Sequence, residues 1–186
     1  MSVGSETIAA PAGAPARVAV AVMGVSGSGK TTLGQAIAAH LGIAFVDGDD
    51  LHPPANVAKM TAGTPLTDED RGPWLDRVGA TLADGAAHPG GVVVACSALR
   101  RAYRDRIRAA AGADLRFVFL RADESEMVAR VTARTDHYMP PTLVHSQFTT
   151  LEVPDPSIES DVMTLPAMGP VEGKAEAAVD WLRRSS

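Results

Sequence analysis

The chain has 186 residues, 46% of them hydrophobic and 21% charged, proportions that exclude wholesale disorder and suit one domain of roughly 100–200 residues. The formal net charge of −5 speaks against general binding to nucleic acid or to an anionic membrane, and no stretch approaches the roughly 18 apolar residues of a membrane span. A lone cysteine, Cys96, leaves no internal disulfide and no cysteine zinc cage, which points to a reducing, cytoplasmic setting.

Residues 1–16, rich in Ala, Gly, Pro and Ser, read as a disordered tail without the features of a secretory signal, and 17–186 as a single domain. The apolar run 18–23 reads as a buried strand that ends at a glycine. A tight loop over 24–29 leads into a helix over 31–41, with Leu33, Ile37 and Leu41 on one side and Gly42 as its stop. A second strand over 43–46 runs into Asp47-Gly48-Asp49. Thr67-Asp68-Glu69-Asp70 starts an acidic helix, with Pro73 placed in its first turn and Trp74, Leu75, Val78 and Leu82 toward a core. Strands follow over 91–96 and 115–120, and helices over 100–111 and 123–134. Residues 135–141 break the pattern with Asp, His and two prolines. A helix over 143–151, a weak fifth strand over 161–165 and a closing helix over 171–184 complete the chain. Strands alternating with helices predict an α/β fold: a five-stranded parallel sheet covered on both faces, with ligands beyond the carboxyl ends of the strands.

Gly24-Val25-Ser26-Gly27-Ser28-Gly29-Lys30-Thr31 matches the phosphate-binding pattern G-x-x-x-x-G-K-[ST] between a strand and a helix. Glycines permit positive φ, so backbone N–H groups turn inward around a phosphate, and the helix start adds a favourable dipole. Gly24, Ser26, Gly27, Ser28, Gly29, Lys30, Thr31 and Thr32 are therefore assigned to ATP, with Lys30 on the transferring phosphates and the Thr31 hydroxyl on Mg²⁺. The only asparagine is Asn56, followed by Val57, so the Asn-Lys-x-Asp element of guanine-reading switches is absent. The third strand ends in Cys96-Ser97 rather than an acid, which favours a small-molecule kinase over an energy-transducing ATPase.

Transfer to an alcohol needs a group that orients the hydroxyl and takes its proton. In an extended segment Asp47 and Asp49 share a side, one to order metal-bound water and the other the acceptor hydroxyl, while Asp50 reads as a helix N-cap. Arg100, Arg101, Arg104, Arg106 and Arg108 read mainly as a solvated helix face, and Cys96 as buried and inert. His137 and His145 lack a metal-binding spacing.

Beyond the phosphate loop, the chain carries Asp47-Gly48-Asp49-x-Leu51-His52-Pro53, Lys59-Met60, Gly63-x-Pro65-Leu66 and Asp68-x-Asp70-Arg71-x-Pro73-Trp74-Leu75. Cys96-Ser97-Ala98-Leu99, Tyr103-Arg104 and Gln147-Phe148-x-x-Leu151-Glu152 follow. Together these segments resemble the small bacterial gluconate kinases, ATP:D-gluconate 6-phosphotransferases, from about residue 18 to the last helix. The resemblance implies a P-loop fold of the nucleoside-monophosphate-kinase type, a mobile lid at about 135–147 and a homodimer. It also implies transfer from ATP, with Mg²⁺, to D-gluconate; another small hydroxy acid such as shikimate is the alternative. Lys30 and Asp49 are then the catalytic pair, with Asp47 joining Thr31 at the metal. Gluconate's carboxylate and hydroxyls call for cations and for side chains that donate and accept. Arg71 is assigned to the carboxylate, since its planar fork matches two oxygens. His52, Lys59, Ser97 and Arg104 complete the expected acceptor site, and Trp74 reads as core. Arg130 and Arg134, four apart before the lid, are expected to reach ATP.

Overall fold

The computed structural model of the protein describes residues 18–88, 91–112, 115–132 and 141–184. The tail expected over 1–16, Arg134, His137 and the 135–140 part of the expected lid lie outside the described residues. Five strands, β1 (Ala19–Met23), β2 (Ala44–Asp47), β3 (Val92–Cys96), β4 (Leu115–Arg121) and β5 (Val162–Pro166), pair in parallel in the order β2-β3-β1-β4-β5. Among the described residues, seven α-helices accompany them: α1 (Lys30–Leu41), α2 (Pro54–Thr61), α3 (Asp68–Ala87), α4 (Arg101–Ala111), α5 (Glu124–Thr132), α6 (Pro141–Thr150) and α7 (Val171–Arg184).

Strand periodicity sorts the core into two layers. Val20, Val22, Val93, Val118 and Leu120 face one side and pack with Leu33 and Ile37 of α1 and Ala178 and Leu182 of α7. Ala19, Ala21, Met23, Val94, Phe117 and Phe119 face the other and meet Trp74, Val78 and Leu82 of α3 and Ile107 of α4. Burying each large apolar side chain contributes about 1.5–3 kcal/mol, so the central strands are the best-anchored part of the molecule. β1 is fully buried and lies between β3 and β4, where the strand order reverses. Its carboxyl end therefore opens into the crevice that such sheets offer to ligands.

Local details differ from the sequence reading. The 3₁₀ turn Gly48–Leu51 and α2 are additional elements. Both are short, and α2 buries only Asn56, so no apolar periodicity announced them. Asp47 and Asp49 do not alternate along an extended segment: the chain turns after β2, and Asp47 rather than Asp50 caps it, accepting from the Asp49 N–H at 3.1 Å. Thr67 and Asp70 form a reciprocal capping box, which starts α3 at Asp68 and leaves Pro73 inside the helix beyond the first turn. The basic run at α4 is only partly the expected solvated face: Arg101 and Arg106 are exposed, while others turn to acidic partners in the fold. Arg104 is buried against Glu159, and Arg108 bonds Glu159 and Asp161. Arg100 and Arg106 pair with Asp68 and Asp76 of α3.

Candidate active site

The loop after β1 doubles back tightly. Gly24 has φ +147°, and a Cβ there would lie 2.8 Å from the Leu120 carbonyl oxygen, so both the backbone angle and the neighbouring strand require glycine. The loop leads directly into α1, whose first residue is Lys30. The Lys30 ammonium donates to the Val25 carbonyl at 3.0 Å. Burial pushes its pKa below the ordinary lysine value, against the pull of the Asp49 and Asp47 carboxylates. Among the described residues the Ser28 hydroxyl, buried in the same loop, has no hydrogen-bond partner. A half-buried cation in the same loop as an unsatisfied hydroxyl at a helix start fits a polyphosphate.

Thr31 donates its hydroxyl to Asp47 Oδ2 at 3.0 Å, so the two residues assigned to the metal lie side by side. Mg²⁺ takes one or two protein oxygens and completes its shell with phosphate and water, and this pair fits that pattern.

A cavity of about 290 Å³ opens beside the loop. Ser26, Lys30, Asp49, His52, Arg71 and Ser97 all lie in its wall, so six residues expected at the phosphates or the acceptor share one space. Gly48 sets the depth of the Asp49 turn, because a Cβ there would lie 2.4 Å from the Ala95 carbonyl oxygen. Trp74 donates from its indole to the Gly48 carbonyl at 2.7 Å, which ties the turn to α3. Trp74 is core, at 1% exposure, and also a cavity wall: its ring stacks on His52. Burial lowers the His52 pKa, Arg71 lowers it further and Asp49 opposes both, so the imidazole is held neutral at pH 7. Arg71 donates to the Leu66 carbonyl, and Asp68, which stands 4.0 Å from the same nitrogen, is itself held by Arg100 and Tyr103. Burial pushes the Cys96 thiol up to about 12, leaving it protonated and inert at neutral pH.

Two expected acceptor residues stand elsewhere. Lys59 is turned to Asp70, with both carboxylate oxygens at 2.7 Å, because Asp70 sits at the start of α3 facing α2. Arg104 is 1% exposed and makes a two-pronged ion pair with Glu159 behind the cavity. Helical spacing points it inward beside Tyr103 and Ile107, the other buried residues of α4. Arg130 does not line this cavity either: its Nη1 approaches the sulfur of Met168 at 3.9 Å, and Met168 lines a second hollow of about 430 Å³ past the ends of β4 and β5.

The sequence reading gave no role to Gln147. Its Oε1 accepts from the Ser26 N–H at 2.6 Å and its Nε2 donates to the Ser26 hydroxyl at 2.9 Å, so α6 reaches the phosphate loop through one side chain. Its place in the segment following the broken stretch 135–141 was the available signal.

A family model described as "AAA domain" matches residues 20–151. A probable gluconokinase of Schizosaccharomyces pombe is 40% identical over 94% of this chain and 92% of its own length. A gluconokinase of Gluconobacter oxydans is 49% identical over 72% of this chain and 74% of its own. The crystal structure of a gluconokinase from Sinorhizobium meliloti 1021 superposes with a TM-score of 0.79 at 43% identity, covering 91% of this chain and 95% of that one. With the phosphate loop, the Asp47–Asp49 turn and the Arg71 wall in place, likeness over nearly the whole length assigns the chain to the gluconokinase family.

Proposed function

We propose that the protein transfers the γ-phosphoryl group of ATP to the 6-hydroxyl of D-gluconate, releasing ADP and 6-phosphogluconate. The observation that carries this reading is the shared cavity. Lys30, the Asp49 carboxylate and the Arg71 guanidinium meet in one space small enough for a single sugar acid. In the transfer, Asp49 accepts the proton of the attacking 6-hydroxyl while the hydroxyl oxygen bonds to phosphorus and the bond from phosphorus to the β-phosphate oxygen breaks. Lys30 stabilises the charge that develops on the transferring group. Gly24, Ser26, Gly27, Ser28, Gly29 and Thr32 cradle the phosphates, and Arg130 and Arg134 serve the nucleotide. Mg²⁺, when bound at Thr31 and Asp47, neutralises phosphate charge. Arg71 grips the gluconate carboxylate, while His52 and Ser97 meet hydroxyls along the chain.

Release of ADP measured with gluconate, shikimate, other sugar acids and no acceptor tests the reading. Gluconate is expected to support turnover far above the others. A preference for shikimate would assign the cavity to a cyclic hydroxy acid. Equal ADP release without acceptor would make the protein a nucleotide hydrolase.

A further inference from the structure

Ser97 stands in the cavity wall at the end of β3, and the residue behind it is under strain. Ala98 has φ +39°, a left-handed conformation that costs a residue with a Cβ, and it is fully buried. Something must hold this turn. Arg104, one turn into α4, donates from Nη1 to the Ala98 carbonyl at 3.3 Å and to the Leu99 carbonyl at 3.2 Å. Its other edge is fixed by Glu159, with Nε and Nη2 each 2.7 Å from a carboxylate oxygen. Burial works against the Glu159 charge, yet bonds from Arg104 and Arg108 hold its carboxyl below the ordinary range. The segment after α6 grips the same turn a second time. Glu152 donates its N–H to the Leu99 carbonyl at 2.9 Å, and its carboxylate accepts from the Arg101 N–H at 2.7 Å.

We propose that Arg104, anchored by Glu159, is a positioning residue for phosphoryl transfer: it pins the Ala98–Leu99 carbonyls and so fixes Ser97 against the acceptor. The inference rests on the acceptor reading of the cavity. A surface lysine could not replace the arrangement, because the arginine plane serves two carbonyls on one edge and a carboxylate on the other. Arg108 supplies the control. It shares Glu159 and also bonds Asp161 and Asp105, but among the described residues it makes no hydrogen bond to the turn.

Steady-state kinetics of Arg104→Lys, Glu159→Gln and Arg108→Gln, each with its thermal midpoint, test the proposal. For the first two, kcat/KM for the acceptor is expected to fall roughly tenfold or more through misplacement of Ser97. ATP KM should stay within about twofold, since the phosphate loop is untouched. Arg108→Gln should lower the thermal midpoint while leaving acceptor kcat/KM within about twofold. Should Arg104→Lys yield no folded protein, Glu159→Gln decides, since it is nearly isosteric. Acceptor parameters that fall no further in the first two variants than in Arg108→Gln would reduce Arg104 to a structural ion pair and overturn the proposal. Wild-type turnover tests the acceptor reading by itself. If the wild type uses another acid, the variants are compared on that acid, so the two claims can fail separately.

Discussion

The His52 imidazole lies flat on the Trp74 indole, ring centroids 4.4 Å apart and planes 11° from parallel. This stack braces the far end of the Gly48–Leu51 turn, while the Trp74 N–H holds its near end through the Gly48 carbonyl. Asp49 is thereby carried on a turn fixed at both ends by one side chain of α3.

The stack has a pH signature. Burial, then repulsion from Arg71, hold the folded His52 pKa below the ordinary 6.5, although Asp49 opposes them. As pH falls through the ordinary value, the unfolded chain takes up the proton first, so stability is lost from there down to the lower folded value and is unaffected above. His52→Phe keeps a stacked ring and removes the titration. Its thermal midpoint should gain on the wild type as pH drops from about 7.5 to 5. A difference that stays constant over this range would show that the stack does not couple to protonation.

Asp49→Asn preserves shape but cannot accept the hydroxyl proton. We expect kcat to fall roughly 10²-fold or more, with ATP KM within a few-fold. If ATP binding collapses instead, Asp49 belongs with the metal, and the roles of Asp47 and Asp49 are exchanged.

Arg71→Lys keeps the charge and loses the fork. Gluconate KM should rise by the equivalent of roughly 1.5–3 kcal/mol while ATP KM barely moves. Glucose, which has no carboxylate, should be a poor acceptor for both enzymes, so the variant narrows the gap between the two sugars by weakening gluconate alone. An unchanged gluconate KM would send the carboxylate to another cation.

Much of this site was legible in the sequence because its signals are local. The phosphate loop is contiguous and sits between two elements of strong periodicity, so Lys30 and Thr31 needed no tertiary information. Asp47 and Asp49 were brought together in the sequence through the wrong geometry. Alternation assumes a strand, whereas the close approach of Gly48 to Ala95 turns the chain at that point. Arg104 and Lys59 were misplaced because a cation in a sequence does not reveal its partner. Glu159 lies 55 residues from Arg104, and Asp70 lies 11 from Lys59 across a turn. Gln147 reaches Ser26 over a separation of 121 residues, which no spacing rule encodes.

Lys30→Ala probes the phosphate loop most simply. Removing this cation should cut kcat at least ~10²-fold, because the developing phosphoryl charge loses its main partner. The fold should persist, since Lys30 carries no buried ion pair within the described residues and its one hydrogen bond is to the Val25 carbonyl. Turnover close to wild type, with an unchanged circular dichroism spectrum, would remove Lys30 from the catalytic pair.

The central claim, transfer to the terminal hydroxyl of gluconate in the cavity beside Lys30, is tested most directly by phosphorus NMR of the purified product. A phosphate ester on the 6-hydroxyl couples to the two protons of one CH₂ group, and the account predicts that signal together with stoichiometric ADP. A phosphorus coupled to a single proton would place the phosphate on a secondary hydroxyl, and inorganic phosphate alone would mean hydrolysis. Either result would contradict it.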